Sequence, residues 1–410
     1  YSPADQITPD NVAHLERAWV YRTGDLRMPG EIEWTYPGGQ TFPAMGSAWQ
    51  LTPILVNNTL YGCSAFNRLF ALDPATGEER WVVDPGVDVS KELMVNCRGV
   101  SSWQATGESG HCSHRIFMGT MDGRLLAVDG ATGKPCEDFG DNGTVDLKQG
   151  LGHHEDHEYS SHSPAAILGD RLIMGAMVLD RVHNEMPSGV VRAFDVRSGE
   201  LLWYWEPIPP GQSPEIGPDG EPRYRRGTTN VWSIISTDAE RDLVFLPTGN
   251  TSTDFYGGLR DNLDYYSSSV VALRGSTGEL VWHYQMVHHD IWDYDTPAQP
   301  TLFELQRDGQ TIPALAQPTK MGMLFILNRE TGEPLVPVEE RPVPQGGAVA
   351  GEYLSKTQPF TTAPPPLHPH TLQPEDAWGF TPWDRGACRE AIAALRNEGI
   401  YTPPSEQGTL

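Results

Sequence analysis

Ala65-Phe66-Asn67-Arg68-Leu69-Phe70-Ala71-Leu72-Asp73-Pro74-Ala75-Thr76-Gly77 recurs without gaps as Met121–Gly133 (MDGRLLAVDGATG) and as Lys320–Gly332 (KMGMLFILNRETG). The second half of the motif returns twice more, in Arg192–Gly199 and Val271–Gly278. Each copy reads as a short apolar strand and a turn in which Asp or Asn accepts backbone hydrogen bonds while the glycine takes a positive φ. Trp81, Trp203 and Trp282 each follow their glycine at the same distance. A large aromatic at a fixed phase of a repeat is a packing plate between neighbouring copies. The glycines lie farther apart than in a WD40 array, which leaves room for four strands and loop insertions. The repeat therefore predicts an all-β fold, a β-propeller of four-stranded blades, with about five to six blades in this chain.

Working outward, 42 glycines and 35 prolines scattered over 410 residues fit many turns between short strands. With 29 basic against 54 acidic residues the net charge is −25, which would repel a phosphate backbone and argues against a nucleic-acid partner. No apolar run is long enough to span a bilayer, and Tyr1-Ser2-Pro3-Ala4 is no signal peptide, so any targeting or membrane segment is expected outside this sequence. Cys63, Cys97, Cys112, Cys136 and Cys388 contain no C-x-x-C pair, and their odd number leaves at least one unpaired. Thr8-Pro9-Asp10 predicts a short helix and Ala18–Tyr21 a lone strand. An amphipathic helix is expected from about Asp384 to Asn397 with Gly399 as its stop, a helical insertion over 384–398. The stretch 402–410 reads as the lead-in to a further blade, so residues 1–410 are expected to be one propeller domain incomplete at its C-terminal end.

The repeat is broken where chemistry is expected. The column holding Ala65 and Met121 holds Lys320 in the last copy. In the third and fourth blades the same turn is lengthened, and Asp180 and Asn250 end the expected strands Arg171–Leu179 and Asp242–Pro247. All three polar groups should leave their blades at one end, facing the central channel. Val287-His288-His289-Asp290-Ile291-Trp292-Asp293-Tyr294-Asp295 is the densest polar-aromatic stretch, open to reading as a solvated loop, a metal site or an acid/base centre. The oxygens of Asp180, Asn250 and Asp293 suit a hard cation such as Ca²⁺ or Mg²⁺. His153–Glu158 lacks the H-E-x-x-H spacing and reads as a solvated loop.

Tyr1-Ser2-Pro3 with Gln6-Ile7-Thr8-Pro9, Cys97-Arg98-Gly99-Val100, Ser188–Arg192, His288-His289-Asp290 with Trp292-Asp293, Pro297–Thr301 and Tyr401–Leu410 together resemble the pyrroloquinoline quinone (PQQ)-dependent dehydrogenases, in their membrane-bound glucose, quinate and polyol branch. The resemblance implies an eight-bladed propeller with PQQ on its axis, part of which would lie beyond Leu410. It casts Asp293 as the catalytic carboxylate and Lys320 as the cation on the reactive quinone carbonyl. Trp232 would stack on the quinone, Arg98 would pair with a quinone carboxylate, and Ser161 would be a further cofactor contact. Asp180, Asn250 and Asp293 match metal positions.

The reaction so implied is oxidation of a sugar, polyol or cyclic hydroxy acid, with Asp293 as general base and hydride passing to PQQ. Electrons would go to membrane ubiquinone, in a periplasmic protein attached to the inner membrane through a segment or subunit not in this chain. Cys97 and Cys112 would then sit where a disulfide is possible. Three departures stand out: Phe66 replaces a substrate-proximal histidine of the glucose enzymes, Arg181 replaces an amide beside Asp180, and Asp295 adds a carboxylate. The last leaves a lanthanide open beside Ca²⁺ or Mg²⁺. The alternative is a non-catalytic propeller scaffold of the cell envelope, which has no reason to carry Lys320, Asp293, Trp232 and Asn250 at these positions.

Overall fold

The computed structural model describes residues 5–35, 40–180, 182–220 and 222–410, so Tyr1-Ser2-Pro3 and Arg181 lie outside the described residues. Four antiparallel four-stranded sheets follow one another. They are Ile54–Val56, Thr59–Cys63, Leu69–Leu72 and Glu79–Val83; then Ser101–Gln104, His114–Gly119, Arg124–Asp129 and Thr144–Asp146; then Ala166–Leu168, Arg171–Met174, Val191–Asp195 and Leu201–Trp205; then Ser236–Asp238, Leu243–Pro247, Ser269–Arg274 and Leu280–Gln285. A fifth sheet has three strands, Thr301–Arg307, Gln310–Pro318 and Leu324–Asn328. The fold is a β-propeller.

Both faces of an inner blade are covered, because side chains of a strand alternate between faces. In the third blade Leu172 and Met174 join the core shared with the second blade, and Ile173 joins the core shared with the fourth. The repeat turns close as the sequence predicts. Asp73 Oδ1 accepts from the amides of Ala75 and Thr76, Asn328 Oδ1 from those of Glu330 and Thr331, and Gly77 and Gly332 have φ of 73° and 74°. Arg274 occupies the Asp column in the fourth blade, and Asp242, in the turn before the neighbouring strand, bonds the turn at Ser276 instead.

The tryptophans pack between blades. Trp81 Nε1 donates to Gly130 O (3.1 Å), Trp203 to Gly275 O (2.9 Å) and Trp282 to Arg329 O (2.9 Å). Each indole lies flat against the next blade's turn glycine, where a Cβ on Gly133, Gly278 or Gly332 would come within 2.5–2.8 Å of the ring. Trp19 makes the same contact, with Nε1 on Pro74 O (3.1 Å) and its ring against Gly77.

Several local expectations are corrected. Ala18–Tyr21 forms no strand ladder. The first helical turn is Val12–His14, and the turn leading into it starts at Thr8, whose carbonyl accepts from the amides of Asn11 (3.2 Å) and Val12 (2.9 Å) and whose amide donates to Asn11 Oδ1. The late helix runs Pro382–Ala394, two residues earlier than expected, because Thr381 and Asp384 form a reciprocal capping box. It ends at Ala394, short of Asn397, and of its residues Ile392 is buried. The expected strand Arg171–Leu179 splits: Met177–Val178 leaves the blade to pair with Tyr159–Ser160. The break falls at Gly175, which lies so close to Val231 O that a Cβ would sit 2.1 Å away. Asp242 lies outside the strand Leu243–Pro247 and has φ of 52°.

Candidate active site

In an antiparallel four-stranded blade, the turn between second and third strands and the connection to the next blade emerge at the same end. The Asp–Gly turns emerge at the other. Phe66, Asp180, Asn250 and Lys320 lie in second-to-third connections, and Arg98, Ser161, Trp232 and Asp293 in connections between blades. The topology therefore gathers every expected site residue at one end of the propeller.

Arg98 follows Cys97, which is disulfide-bonded to Cys63, and its amide donates to His162 O (2.8 Å). The guanidinium lies 4.9 Å over the Trp232 ring. Its side-chain hydrogen bond goes to Ser163 Oγ (3.4 Å), and Ser163 Oγ donates to Trp232 O (2.6 Å). Among the described residues no carboxylate forms an ion pair with it, and burial alone pulls its pKa down to about 10. Trp232 Nε1 donates to Asp295 Oδ2 (2.8 Å). Lys320 Nζ closes the row, 3.6 Å from Asp295 Oδ1, 3.2 Å from Asp293 Oδ1 and 2.6 Å from Asp293 O.

The carboxyl pair is electrostatically crowded. Burial, then the hydrogen bond and charge of Asp293, push Asp295 well above the usual carboxylate range against the pull of Lys320, and Asp180 adds to the rise. Burial would lower the Lys320 ammonium, but Asp295 and Asp293 more than reverse it, leaving it raised.

The backbone places Asp293 in the left-handed region, φ 62°. Asp290, fully buried, holds it there: its carboxylate accepts from the amides of Trp292 (2.9 Å) and Tyr294 (2.8 Å) and from Ser268 Oγ (2.5 Å). Trp292 Nε1 and Tyr294 Oη donate to Thr402 O and Ile400 O, both 2.7 Å. Before this loop, His289 is clamped by two buried carboxylates, Nδ1 on Asp264 (2.7 Å) and Nε2 on Glu352 (2.9 Å), under the stacked ring of Tyr353. The solvated-loop alternative for 287–295 is thereby removed.

Arg98, Trp232, Lys320 and Asp293 thus lie in one connected row through Asp295. Asp180 acts electrostatically on Asp295. Asn250 is buried next to Gly249, where a Cβ would sit 2.4 Å from Asn230 Oδ1 and 3.1 Å from the Trp232 ring; its Nδ2 donates to Asp254 O (3.1 Å) and its Oδ1 accepts from the Thr251 amide (2.7 Å). Ser161 donates its hydroxyl to Gly175 O (3.2 Å), so the serine touching Arg98 is Ser163, which sequence reasoning missed. Phe66 is half-buried, its amide on Asp25 Oδ2 (2.8 Å). The run His153–Glu158 is only partly solvated, because Glu158 is buried and accepts from His183 (2.9 Å), and His157 packs edge-on against Trp34.

The residues fit a planar polyanion and a hard cation. A half-buried arginine without a carboxylate invites an anionic partner, and Asn230 Oδ1, buried beside Gly249, has no hydrogen-bond partner among the described residues. Crowded carboxyl and amide oxygens suit Ca²⁺-type ligation.

Residues 1–410 match the family model described as PQQ: Glucose/ethanol/alcohol dehydrogenase, beta-propeller domain. The chain is 41% identical to the quinoprotein glucose dehydrogenase of Escherichia coli (strain K12), covering all of this chain and 50% of that protein. It is 39% identical to the glycerol dehydrogenase large subunit of Gluconobacter thailandicus (99% of this chain, 54% of that protein) and 36% to the quinate/shikimate dehydrogenase (quinone) of Acinetobacter baylyi (99% and 50%). It spans about half the length of the curated relatives it matches. The quinohemoprotein alcohol dehydrogenase of Comamonas testosteroni shares the fold, with TM-score 0.62 and 23% identity over 88% of this chain and 50% of that one. The chain belongs to the PQQ-dependent glucose/ethanol/alcohol dehydrogenase β-propeller family.

Proposed function

We propose that this chain forms the catalytic site of a dehydrogenase that oxidises an alcohol group of a sugar, polyol or cyclic hydroxy acid, with PQQ as cofactor. The observation that carries this reading is the continuous row Arg98–Trp232–Asp295–Lys320–Asp293 at one end of the propeller. Arg98 and Lys320 would meet the negative charge of PQQ, and the Trp232 ring would bear on its flat face. Asp180, Asn250 and Asp293 would hold Ca²⁺ or Mg²⁺, with a lanthanide the lesser alternative.

When bound, PQQ supplies the two-electron acceptor that takes hydride from the carbinol carbon. Asp293, whose side chain is 28% exposed, takes the hydroxyl proton as general base. Asp290 fixes its backbone, and Lys320 keeps positive charge where the developing anion needs it. Trp232 and Lys320 hold Asp295 so that it backs Asp293 without displacing it.

The disulfides Cys63–Cys97 and Cys112–Cys136, with Cys388 free, support an oxidising compartment, and the pairing joins Cys97 and Cys112 each to a different partner. We infer a periplasmic protein attached to the inner membrane, with membrane ubiquinone as acceptor. Among the described residues no helix is long and apolar enough to cross a membrane. The test is reconstitution of the full-length protein with PQQ and Ca²⁺ or Mg²⁺ and a dye-linked screen of sugars, polyols and quinate. Activity should be lost to a chelator and restored by the metal; turnover with a nicotinamide and no quinone overturns the proposal.

A further inference from the structure

Beside the site lies a half-enclosed cavity of about 90 Å³, lined by Trp34, Glu92, His157, Met177, Leu179 and Asp180. Glu92 is 8% exposed, and among the described residues its carboxyl takes part in no hydrogen bond. Arg27 offers it charge only: that guanidinium donates to the carbonyls of Met45 (2.9 Å), Val89 (3.1 Å) and Leu93 (3.1 Å), which builds the cavity wall. A carboxyl so placed costs stability, and burial pushes its pKa up to about 7. His157 lines the same cavity, and its Nε2 is buried without a hydrogen-bond partner among the described residues. Trp34, Met177 and Leu179 supply apolar wall.

We propose that this cavity is a recognition subsite for a second hydroxyl of a polyhydroxylated substrate, with Glu92 as its specificity-determining residue. A hydroxyl both donates and accepts, which matches a carboxyl and an imidazole nitrogen together, while the C–H face of a sugar, polyol or cyclitol lies on the apolar wall. Asp180 lines the same cavity and belongs to the expected metal set, so the cavity and the proposed site share a residue. A simple alcohol with one hydroxyl leaves Glu92 unsatisfied and gains nothing from it. The proposal rests on the dehydrogenase reading given above.

The test uses Glu92→Leu and the isosteric Glu92→Gln, with glucose, quinate and glycerol as probes and 1-butanol as the single-hydroxyl control. In quinone-free protein, Glu92→Leu should raise the melting temperature, because a buried unpaired carboxyl is gone, and should abolish the stabilisation that a polyhydroxylated probe gives the wild type. In PQQ- and Ca²⁺-loaded full-length enzyme, KM for the polyhydroxylated substrate should rise about 10- to 100-fold with kcat changed far less, and 1-butanol should be indifferent. Glu92→Gln, which keeps a hydrogen-bonding group, should fall between. A lowered melting temperature in both variants makes Glu92 structural and overturns the proposal, as does an unchanged KM for every probe. Wild-type protein that takes up no PQQ overturns the dehydrogenase reading itself, whereas PQQ uptake with unchanged KM in the variants overturns the subsite alone.

Discussion

Trp232 and Asp295, 63 residues apart, are joined by a 2.8 Å hydrogen bond from the indole Nε1 to Oδ2. The ring expected to carry a cofactor on its face therefore also anchors, by its edge, the more buried of two neighbouring carboxyls. One residue couples the stacking surface to the acid/base pair.

Trp232→Phe separates the two roles. The aromatic face remains but the donor is lost, leaving Asp295 short of a partner at a cost of about 1–3 kcal/mol. The apoprotein should melt lower while PQQ, followed by its absorbance, is still retained. An unchanged melting temperature would show that the bond carries no weight.

Asp293→Asn keeps size and hydrogen-bonding capacity and removes the base, so kcat should fall roughly 10²- to 10⁴-fold in a protein that still retains PQQ. Lys320→Ala should impair both PQQ retention and turnover. The scaffold should survive it, because the Lys320 side chain is 33% exposed and the same turn holds Ala65 and Met121 in two other blades. A large fall in apoprotein melting temperature would instead make the lysine structural.

The pair Cys63–Cys97 ends next to Arg98 and closes a loop of 34 residues, worth roughly 3–4 kcal/mol in the chain-entropy account. Cys63→Ser with Cys97→Ser should lower the melting temperature and, by loosening Arg98, weaken PQQ retention in dialysis. Retention equal to wild type would show that the blade alone orients Arg98.

Burial would lower the His289 pKa, but the hydrogen bonds to Asp264 and Glu352 reverse this and leave it raised despite the opposing charge of Arg260. In the unfolded chain a histidine titrates near about 6.5. The clamp's contribution is thus complete below about pH 6.5 and is lost as pH rises through the higher folded value. Melting temperature should fall across that window in the wild type. His289→Gln should be less stable at low pH and should lack that slope; a parallel slope in the variant would assign it to another group.

The propeller was legible because its turns are local chemistry: Asp73, Gly77 and their counterparts declare themselves within a few residues. The packing role of Trp81, Trp203 and Trp282 followed from their phase. Trp19 does the same work but stands outside any copy of the motif, so it passed as a lone strand. The strand break at Gly175 depends on the close approach of Val231, a contact between distant segments that the pattern at 171–179 does not encode. Site residues were legible where they interrupt the repeat, as Lys320 does. Ser163, Glu92 and the His289 clamp were not, because their significance lies in partners from other blades or in the lack of any partner.

The separation of the two ends of the propeller has an evolutionary reading. Each indole is registered against a glycine turn whose length barely varies, whereas the connections carrying Phe66, Asp180 and Asn250 range from a tight turn to long excursions. Insertions there leave blade-to-blade stacking untouched, so a lineage can rewrite the loops at that end without re-evolving its frame. A substitution at Gly133, Gly278 or Gly332 has no such freedom: it would be felt as a loss in the preceding blade, one repeat away from the mutated codon.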